Sequence, residues 1–276
     1  MGGTDHSAIR ELHIDDTLAC LALSEEARWN QTEADWRFFL IEGTVFGICD
    51  SEGQLIATAA LLPYGGGNAW ISMVLVTADW QRRGIATKLL DACLDTAARL
   101  KLTTWLDATS AGAAVYGPLG FTPSGESQRL RFEGTMAPTS APQLLSVGNI
   151  ADLIARDRRA MGFDRSALLH ELAGRPGSRI VARDGAMALI RDGRQARHIG
   201  PLFADHTASA ATLLQAIVQS ETGPFLLDVV GDQRRLLDSL TPSGWTVERP
   251  FRRMRFGRIR TTGTEPPFAG AGPEYG

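Results

Sequence analysis

The sequence predicts a mixed α/β protein built from two copies of one arrangement of strands and helices. Apolar runs of strand length alternate with runs of helical periodicity, and Gly-, Pro- and Ser-containing turns separate them. One stretch of the first half recurs without gaps in the second half. The 276 residues suffice for two domains of ordinary size, each with its own core.

The first half begins with a strand and two helices. Residues 8–12 have strand character, and Asp15 or Asp16 can cap the helix that follows. The run TEAD at 32–35 matches a capping box, in which a Thr and an acidic residue three positions later bond each other's backbone amides. This box predicts a second helix through Leu40.

Strands and helices then alternate. Two strands joined by a Ser-Glu-Gly turn form a predicted hairpin, and a third strand leads into a Gly-containing loop and a helix with one apolar face. In chain order we predict strands at 44–50, 54–62 and 69–76, a helix at 87–100, a strand at 103–109, a short helix at 113–116 and a strand at 129–132.

The repeat sets the domain organisation. YGPLGFTPSGESQRLRF at 116–132 aligns with LTPSGWTVERPFRRMRF at 240–256, so that Arg129 matches Arg253. A Pro- and Thr-containing stretch between the copies predicts a linker. We expect domains at 1–135 and 136–260, followed by a Gly- and Pro-rich tail at 261–276 to which the pattern assigns no structure.

Composition excludes several classes of protein. The net charge of −3 gives no reason to expect a nucleic-acid partner, and no apolar stretch has the length of a membrane helix. The N-terminal residues lack the features of a signal peptide, which predicts a cytoplasmic protein. The three cysteines are predicted to be buried free thiols, and because the five histidines form no ligand pair we expect no metal.

An arginine-rich loop separates the predicted strand at 69–76 from the predicted helix at 87–100. The stretch VLVTADWQRRGIATKLLDACL begins at Val74, and its loop should present free backbone amides at the positive end of a helix dipole. Gly84 and Ala86 let a bulky phosphate approach those amides, while Arg82 and Arg83 add charge. Walker and dinucleotide-binding patterns are absent, so we expect a phosphate or pyrophosphate ligand.

At this loop the chain resembles the GCN5-related N-acetyltransferase (GNAT) superfamily. The pattern V-x-P-x-x-[QR]-x-x-G-x-[GA] is matched by Val76, Gln81, Gly84 and Ala86, with Ala78 in place of the usual proline. Downstream, LDATSAGAAVYGPLGF is similar to the superfamily's fifth strand and its Tyr-x-x-x-Gly-Phe helix end. The stretches GFDRS, IGPL and GPEYG resemble those of members with two GNAT domains in tandem.

The resemblance implies a mixed, mostly antiparallel twisted sheet flanked by helices in each domain, with acetyl-CoA as co-substrate. Its pyrophosphate would lie on the loop amides, and its pantetheine arm would lie along the fourth strand, in a gap beside the fifth. The implied cofactor-binding residues are Val74, Val76, Gln81, Arg82, Arg83, Gly84, Ile85, Ala86 and Thr87.

The resemblance also indicates catalytic residues. Tyr116 has the position that protonates the departing thiolate in many members, although a packing role is the alternative. Many members carry a basic glutamate on the fourth strand, but this strand has no carboxylate. Asp107 is our first candidate for the base, with Glu25 and Glu26 as alternatives that act directly or through water. Each candidate has a structural alternative. Asp107 would only hold the end of a strand, and Glu25 and Glu26 would be solvated charges at the end of a helix.

The candidate acceptor-binding residues lie in two stretches of the chain, one in each copy. Trp29 and Asn30 lie between the first two helices, a loop that borders the acceptor side in this fold, although a core tryptophan and a turn asparagine fit equally well. Asp164 and Arg165 of the second copy are further candidates, with helix capping and a local ion pair as alternatives.

The second copy lacks the marks of a cofactor site. Ala208 aligns with Gly84, Leu240 aligns with Tyr116, and no arginine pair is present, so we expect a degenerate domain that supports the acceptor site.

The predicted reaction transfers acetyl from acetyl-CoA to a primary amine of a small molecule by direct attack in a ternary complex. Protein N-acetylation and a non-catalytic acyl-CoA sensor are the alternatives. We expect no nucleic-acid or membrane partner, and a monomer or homodimer.

Overall fold

The computed structural model describes residues 8–134, 145–259 and 262–276. The predicted linker, EGTMAPTSAP at 133–142, lies outside the described residues from 135 onward. The described chain divides into two compact units. Unit 1 comprises the described residues up to Leu106 together with Arg255–Arg258, and unit 2 comprises the described residues of Asp107–Met254 and Ile259–Gly276.

Unit 1 contains a mostly antiparallel sheet with helices packed on it. Its strands are Ile9–Leu12 (β1), Thr44–Cys49 (β2), Leu55–Tyr64 (β3), Asn68–Val76 (β4) and the first part of Thr103–Ala108 (β5). Its helices are Thr17–Glu26 (α1), Glu33–Glu42 (α2) and Ile85–Arg99 (α3). The strands follow one another in chain order across the sheet, and β4 and β5 are the parallel pair.

The predicted capping box at α2 is confirmed. The hydroxyl of Thr32 accepts a hydrogen bond from the amide of Asp35, whose carboxylate accepts one from the amide of Thr32 at 2.6 Å. α2 thereby buries Trp36 and Phe39, and the indole of Trp36 donates to the hydroxyl of Ser24 at 2.9 Å. This bond ties α2 to α1, whose end leads into the candidate acceptor loop.

Unit 2 repeats the alternation of strands and helices. Its strands are Thr122–Phe132 (β6), Ser146–Val147 (β7), Arg179–Arg183 (β8), Ala186–Arg191 (β9), Arg197–Ala204 (β10), Phe225–Val230 (β11) and most of Thr246–Phe256 (β12). Its helices are Ser110–Tyr116 (α4), Ile150–Met161 (α5), Ser166–Gly174 (α6), Thr207–Ser220 (α7) and Arg234–Leu240 (α8). The strand order is β12-β6-β11-β10-β9-β8-β7, with β10 and β11 parallel.

Two elements begin three or more residues before their predicted starts. α4 begins at Ser110 instead of residue 113, because the hydroxyl of Thr109 accepts a hydrogen bond from the amide of Gly112 and caps the helix. β6 begins at Thr122 instead of residue 129, and its second half pairs with β11. That pairing groups β6 with unit 2, so compactness divides the chain after Leu106, whereas the repeat divides it near residue 135.

The cysteines are free thiols. Cys20 and Cys93 are buried and Cys49 is partly buried. Burial raises the pKa of Cys20 and of Cys93 to about 12, which keeps both thiols protonated and poorly nucleophilic. Across the described ranges, no helix combines the length and the apolar character that a membrane crossing requires.

Two arginine–aspartate pairs in unit 2 are related by the repeat. Arg129 of β6 donates two hydrogen bonds to Asp228 of β11, each of 2.8 Å. Arg253 of β12 does the same to Asp107 at the end of β5, at 2.9 and 2.8 Å. Each pair therefore joins the arginine of one copy's last strand to the aspartate of the other copy's preceding strand.

The pair at Asp228 is the more deeply buried. Its side chain and that of Arg129 are 5% and 8% exposed, and Nε2 of His198 lies 2.9 Å from the carboxylate. Burial opposes ionisation of Asp228, but the charge on Arg129 overrides it and holds the pKa of Asp228 well below its usual range. Burial also lowers the pKa of His198, which favours a neutral ring that donates its Nε2 proton to Asp228.

Candidate functional site

The arginine-rich loop of unit 1 joins β4 to α3. β4 ends at Val76, a 3-10 turn spans Ala78–Trp80, and α3 begins at Ile85. Gly84 is the N-cap residue of α3, with left-handed backbone at φ 76°, and Arg82 is also left-handed at φ 60°. A left-handed residue next to a right-handed or turn residue turns successive amides toward a common side, as in an anion-binding nest.

Side-chain contacts hold the loop in this shape. The amide of the Gln81 side chain donates to the carbonyl of Val76 at 3.0 Å. The guanidinium of Arg83 donates to the carbonyl of Asp79 at 2.9 Å and stacks over the ring of Trp80, 4.9 Å from its centroid. The loop backbone is therefore organised by its own residues.

The backbone amides of residues 82–87 donate to no backbone carbonyl in the part of the chain that the structure describes. Lys88 is the first residue whose amide bonds back, to the carbonyl of Gly84 at 3.1 Å. A Cβ placed on Gly84 would meet no atom within 4 Å, so the space beside this N-cap residue is open. Such a group of amides at the start of a helix is suited to bind an anion.

β4 and β5 separate just before this loop. Residues 68–70 of β4 are in parallel register with 103–105 of β5, and β4 then continues to Val76 without a registered partner in β5. Val74 and Val76 are half-buried in this unpaired part. An unpaired strand edge offers backbone donors and acceptors to an extended ligand.

A bulge in β4 lies in the same unpaired part. Met73 has φ 54°, and the register with β3 shifts there, so that Ala59 lies opposite both Met73 and Val74. The hydroxyl of Thr58 donates to the carbonyl of Met73 at 2.8 Å. The neighbouring hydroxyl of Ser72 is buried and makes no hydrogen bond with the described residues. The sequence did not predict this bulge, since a mostly apolar run carries no signal for a register shift.

The candidate acceptor loop lies at the same end of unit 1. Trp29 and Asn30 follow α1 and are half-buried, and the amide of Trp29 donates to the carbonyl of Ser24 at 2.9 Å. Glu26, the last residue of α1, accepts a hydrogen bond from the amide of Ala78 at 3.0 Å. Because Ala78 starts the turn that leads to the arginine-rich loop, this bond brings the two loops of unit 1 together.

Tyr116 is the last residue of α4, in unit 2, and is half-buried. Its ring centroid lies 6.0 Å from that of Phe121, whose amide donates to the carbonyl of Tyr116 at 3.3 Å. A Cβ on Gly112 would lie 3.0 Å from the tyrosine ring, so the glycine leaves room for the ring against its own helix. The helix end and the Gly-Phe corner together fix the position of this ring.

Asp107 differs from a typical general base in its contacts. Both of its carboxylate oxygens accept hydrogen bonds from Arg253, and its side chain is 3% exposed. Both oxygens are therefore occupied by the guanidinium, and neither is free to contact an amine. This geometry does not favour the predicted role of Asp107, which stays a prediction. The partner lies 146 positions away in the sequence, which is why local patterns did not reveal it.

Asp164 and Arg165 of unit 2 make the contacts expected of a helix cap and of a local ion pair. Asp164 accepts a hydrogen bond from the amide of Ser166 at 2.9 Å and pairs with Arg158, and the bond from Ser166 lowers the pKa of Asp164. Arg165 is buried and bonds both oxygens of Asp157, at 2.9 and 2.8 Å. Helix capping and ion pairing therefore account for these contacts, and acceptor binding by either residue stays a prediction.

The corresponding connection in the second copy is shorter. Residues 77–84 separate β4 from α3, whereas β10 ends at Ala204 and α7 begins at Thr207. Ala208, which aligns with Gly84, lies inside α7, and Leu240, which aligns with Tyr116, is buried in the core. The second copy thus has no counterpart of the arginine-rich loop. Within the described ranges, no three potential His, Cys, Asp or Glu ligands are grouped as a metal site.

Known proteins are similar to both halves of the chain. Residues 7–121 match the model of the Acetyltransferase (GNAT) family, and residues 153–265 match that of an Acetyltransferase (GNAT) domain. The chain is 26% identical over 245 residues to a Bacillus subtilis protein described as the uncharacterized N-acetyltransferase YitH, and the match covers 85% of this chain and 86% of that protein.

Solved structures share the fold over nearly the whole chain. A candidate acetyltransferase from Pyrococcus horikoshii superposes with a TM-score of 0.82 at 19% identity, covering 100% of this chain and 98% of that chain. A tandem GNAT protein from the clavulanic acid biosynthesis pathway superposes with a TM-score of 0.64 at 13% identity, covering 91% of this chain and 99% of that chain. With a GNAT match in each half, the chain belongs to the GNAT acetyltransferases as a tandem two-domain member.

Proposed function

We propose that the protein transfers an acetyl group from acetyl-CoA to a primary amine of a small molecule. The observation that carries this proposal is the row of unpaired amides at residues 82–87, which directly follows the unpaired edge of β4. Acetyl-CoA would need both features, free amides for its pyrophosphate and an unpaired strand edge for its extended pantetheine arm. The second copy lacks the equivalent loop, so we propose one acetyl-CoA per chain.

In this proposal the loop holds the charged part of the cofactor. The pyrophosphate accepts hydrogen bonds from the amides of residues 82–87, and Arg82 and Arg83 add positive charge beside it. The pantetheine arm pairs with the backbone near Val74 and Val76 along β4, as an added strand would. The remaining residues of the proposed cofactor site are Gln81, Gly84, Ile85, Ala86 and Thr87.

The proposed reaction is direct attack on the thioester. The amine nitrogen, once neutral, forms a bond to the carbonyl carbon, and the tetrahedral intermediate then breaks its carbon–sulfur bond. The thiolate takes a proton from the hydroxyl of Tyr116, and the proton lost by the amine passes to a base or to water. Coenzyme A and an amide are the products, and the proton released by the amine returns through water to Tyr116, which restores its hydroxyl.

The base is proposed to act through water. β4 carries no carboxylate, and both oxygens of Asp107 are held by Arg253. Among the alternatives in unit 1, Glu26 is bonded to the amide of Ala78 and so lies near both loops, whereas Glu25 is an exposed residue of α1. Trp29 and Asn30 are proposed to contact the acceptor because they lie in the loop next to Glu26.

Calorimetric titration with acetyl-CoA, followed by a screen of amines, tests the proposal. We expect one acetyl-CoA per chain, and release of coenzyme A that depends on a small amine and gives an acetylated product by mass spectrometry. Turnover with lysine-containing peptides but not with free amines would favour protein acetylation. Binding without turnover of either class would favour a sensor, and absence of binding would contradict the proposal.

Replacing Tyr116 by phenylalanine is expected to lower kcat about 100-fold, the range typical of a lost general acid. Binding of acetyl-CoA should change less than about twofold, because the ring and its packing on Phe121 are retained. The measurement is steady-state kinetics together with calorimetry. Tyr64→Phe, at the half-buried end of β3, is the matched control and should keep the parent kcat. Equal kcat values for both variants would remove Tyr116 from the mechanism.

Replacing Asp107 by asparagine separates a base from an ion pair. If the pair with Arg253 is structural, the variant should unfold at lower urea concentration but keep kcat within about tenfold of the parent at low temperature. Loss of a direct general base would instead lower kcat about 100-fold or more. Kinetics and urea unfolding on the same preparation decide between the two, and a low kcat with unchanged stability would restore Asp107 as the base.

A further inference from the structure

Unit 2 has an inter-strand gap of the same kind as unit 1, and this one is filled. Residues 197–199 of β10 are in parallel register with 225–227 of β11, after which β10 forms a bulge and the strands are bridged by another part of the chain. Ala269 forms antiparallel bridges to Leu202 on β10 and to Val229 on β11. We call residues 268–276 the inserted segment.

Backbone hydrogen bonds hold the inserted segment from both sides. On the β10 side, the amide of Phe268 donates to the carbonyl of Leu202 at 2.8 Å, and the amide of Leu202 donates to the carbonyl of Ala269 at 3.0 Å. On the β11 side, the amide of Val230 donates to the carbonyl of Phe268 at 3.2 Å, and the amide of Gly270 donates to the carbonyl of Asp228 at 3.0 Å. The segment therefore satisfies backbone groups that the separation of the strands leaves unpaired.

Two buried arginines bind the rest of the inserted segment. Arg191 donates to the carbonyl of Ala271 at 2.8 Å and to the carboxylate of Glu274 at 2.7 Å. Arg165 donates to the backbone oxygens of Tyr275 and Gly276 at 2.9 and 2.6 Å. These arginines are themselves buried, so their charges are matched by carboxylates and carbonyls in place of water.

The strand opposite the inserted segment is shaped to admit it. A Cβ on Gly200 of β10 would lie 2.0 Å from the carbonyl oxygen of Gly270, so this approach requires glycine. Phe268 is 8% exposed and Ala269, Ala271 and Tyr275 are fully buried, so the segment is part of the core of unit 2. A surface segment of Gly and Pro composition would show none of these features.

We propose that the gap between β10 and β11 is a peptide-binding site whose occupant is the inserted segment, and that this peptide takes the place that the pantetheine arm has in unit 1. The site recognises an extended, glycine-containing peptide through strand pairing and a following glutamate through Arg191. Only the comparison with pantetheine rests on the proposed function. The backbone and arginine contacts of the peptide site do not depend on the proposed function.

Cleavage of the chain in front of the inserted segment tests this site. A protease recognition sequence placed after the exposed Ile259 allows cleavage in the otherwise complete, folded protein. The cleaved segment should stay with the protein through gel filtration without denaturant. It should then exchange with a labelled synthetic peptide of residues 262–276, and with a Glu274→Gln peptide at least about tenfold more weakly, since a charge-assisted bond is lost.

The opposite results would overturn the proposal. These are release of the cleaved segment from a protein with unchanged circular dichroism, equal exchange with a peptide of scrambled sequence, or displacement by millimolar acetyl-CoA. Two acetyl-CoA molecules bound per intact chain would overturn it as well. Failure of the proposed function gives a different pattern, namely no acetyl-CoA bound at all with the peptide still retained.

A second variant keeps the test independent of the inserted sequence. Gly200→Val should expel the segment because its side chain would occupy the position of the Gly270 carbonyl. Chymotrypsin should then cut at Phe268 or Tyr275 at least about tenfold faster than in the parent, whose segment is buried. Gly174→Val is the control, since a Cβ at Gly174 meets no atom within 4 Å. Equal cleavage rates in the parent and in Gly200→Val would contradict the inserted position.

Discussion

Replacing Gly84 by aspartate is expected to abolish acetyl-CoA binding, with affinity reduced at least about 100-fold. Gly84 caps α3 with a left-handed backbone, and a side chain there would enter open space at the helix N-terminus, close in sequence to the free amides of residues 82–87. A carboxylate in that space would compete for the amides and repel the pyrophosphate. The measurement is calorimetry of acetyl-CoA with the parent and the variant.

Gly84→Asn is the matched control for charge. Asparagine has nearly the same shape as aspartate and is among the non-glycine residues that best tolerate left-handed backbone. We expect the asparagine variant to bind acetyl-CoA about tenfold more weakly than the parent, because of strain and bulk, and clearly more tightly than the aspartate variant. Unfolding curves should be similar for the two variants, since neither side chain meets the fold. Equal affinities of the asparagine and aspartate variants would mean that shape, and not charge, decides binding.

The strand–loop–helix arrangement of the arginine-rich loop in unit 1 was predictable because its information is local. A strand, a glycine and a helix that follow one another within one stretch of chain determine where the free amides point. The capping box of α2 was predictable for the same reason, since Thr32 and Asp35 bond each other across one turn. Both features depend on residues a few positions apart.

The ion pairs of unit 2 show what local patterns do not reveal. The repeat aligns Arg129 with Arg253, but it assigns a partner to neither arginine. In the structure both arginines bind aspartates on neighbouring strands. Strand order decides this, because the last strand of each copy lies next to a strand of the other, and periodicity carries no information about strand order.

The tail shows the same limit from the opposite direction. Residues 261–276 are rich in Gly and Pro, a composition that predicts little regular structure. Residues 268–276 are nevertheless buried, because separated strands and buried arginines in unit 2 supply the partners that the segment cannot provide for itself. Composition describes a segment alone, whereas burial depends on what the rest of the fold leaves unpaired.

Asp228→Asn is expected to lower the free energy of unfolding of unit 2 by about 3–5 kcal/mol, the cost typical of breaking a buried ion pair. Asparagine keeps the shape of aspartate but leaves the charge of Arg129, which is 8% exposed, without its counterion. It also replaces the acceptor to which His198 is bonded at 2.9 Å. The measurement is urea unfolding followed by circular dichroism. No loss of stability would show that the pair is not a determinant of the fold.

Asp205→Asn supplies the control for the same substitution at an exposed pair. Asp205 pairs with Arg156, and these side chains are 55% and 24% exposed, so water can replace the lost partner. The Asp205→Asn variant should lose less than about 1 kcal/mol of its free energy of unfolding. The double variant Arg129→Met/Asp228→Asn then isolates the uncompensated charge. If that charge causes the instability, the double variant should lose less than the sum of the two single variants. An additive loss would instead assign the effect to packing around Asp228.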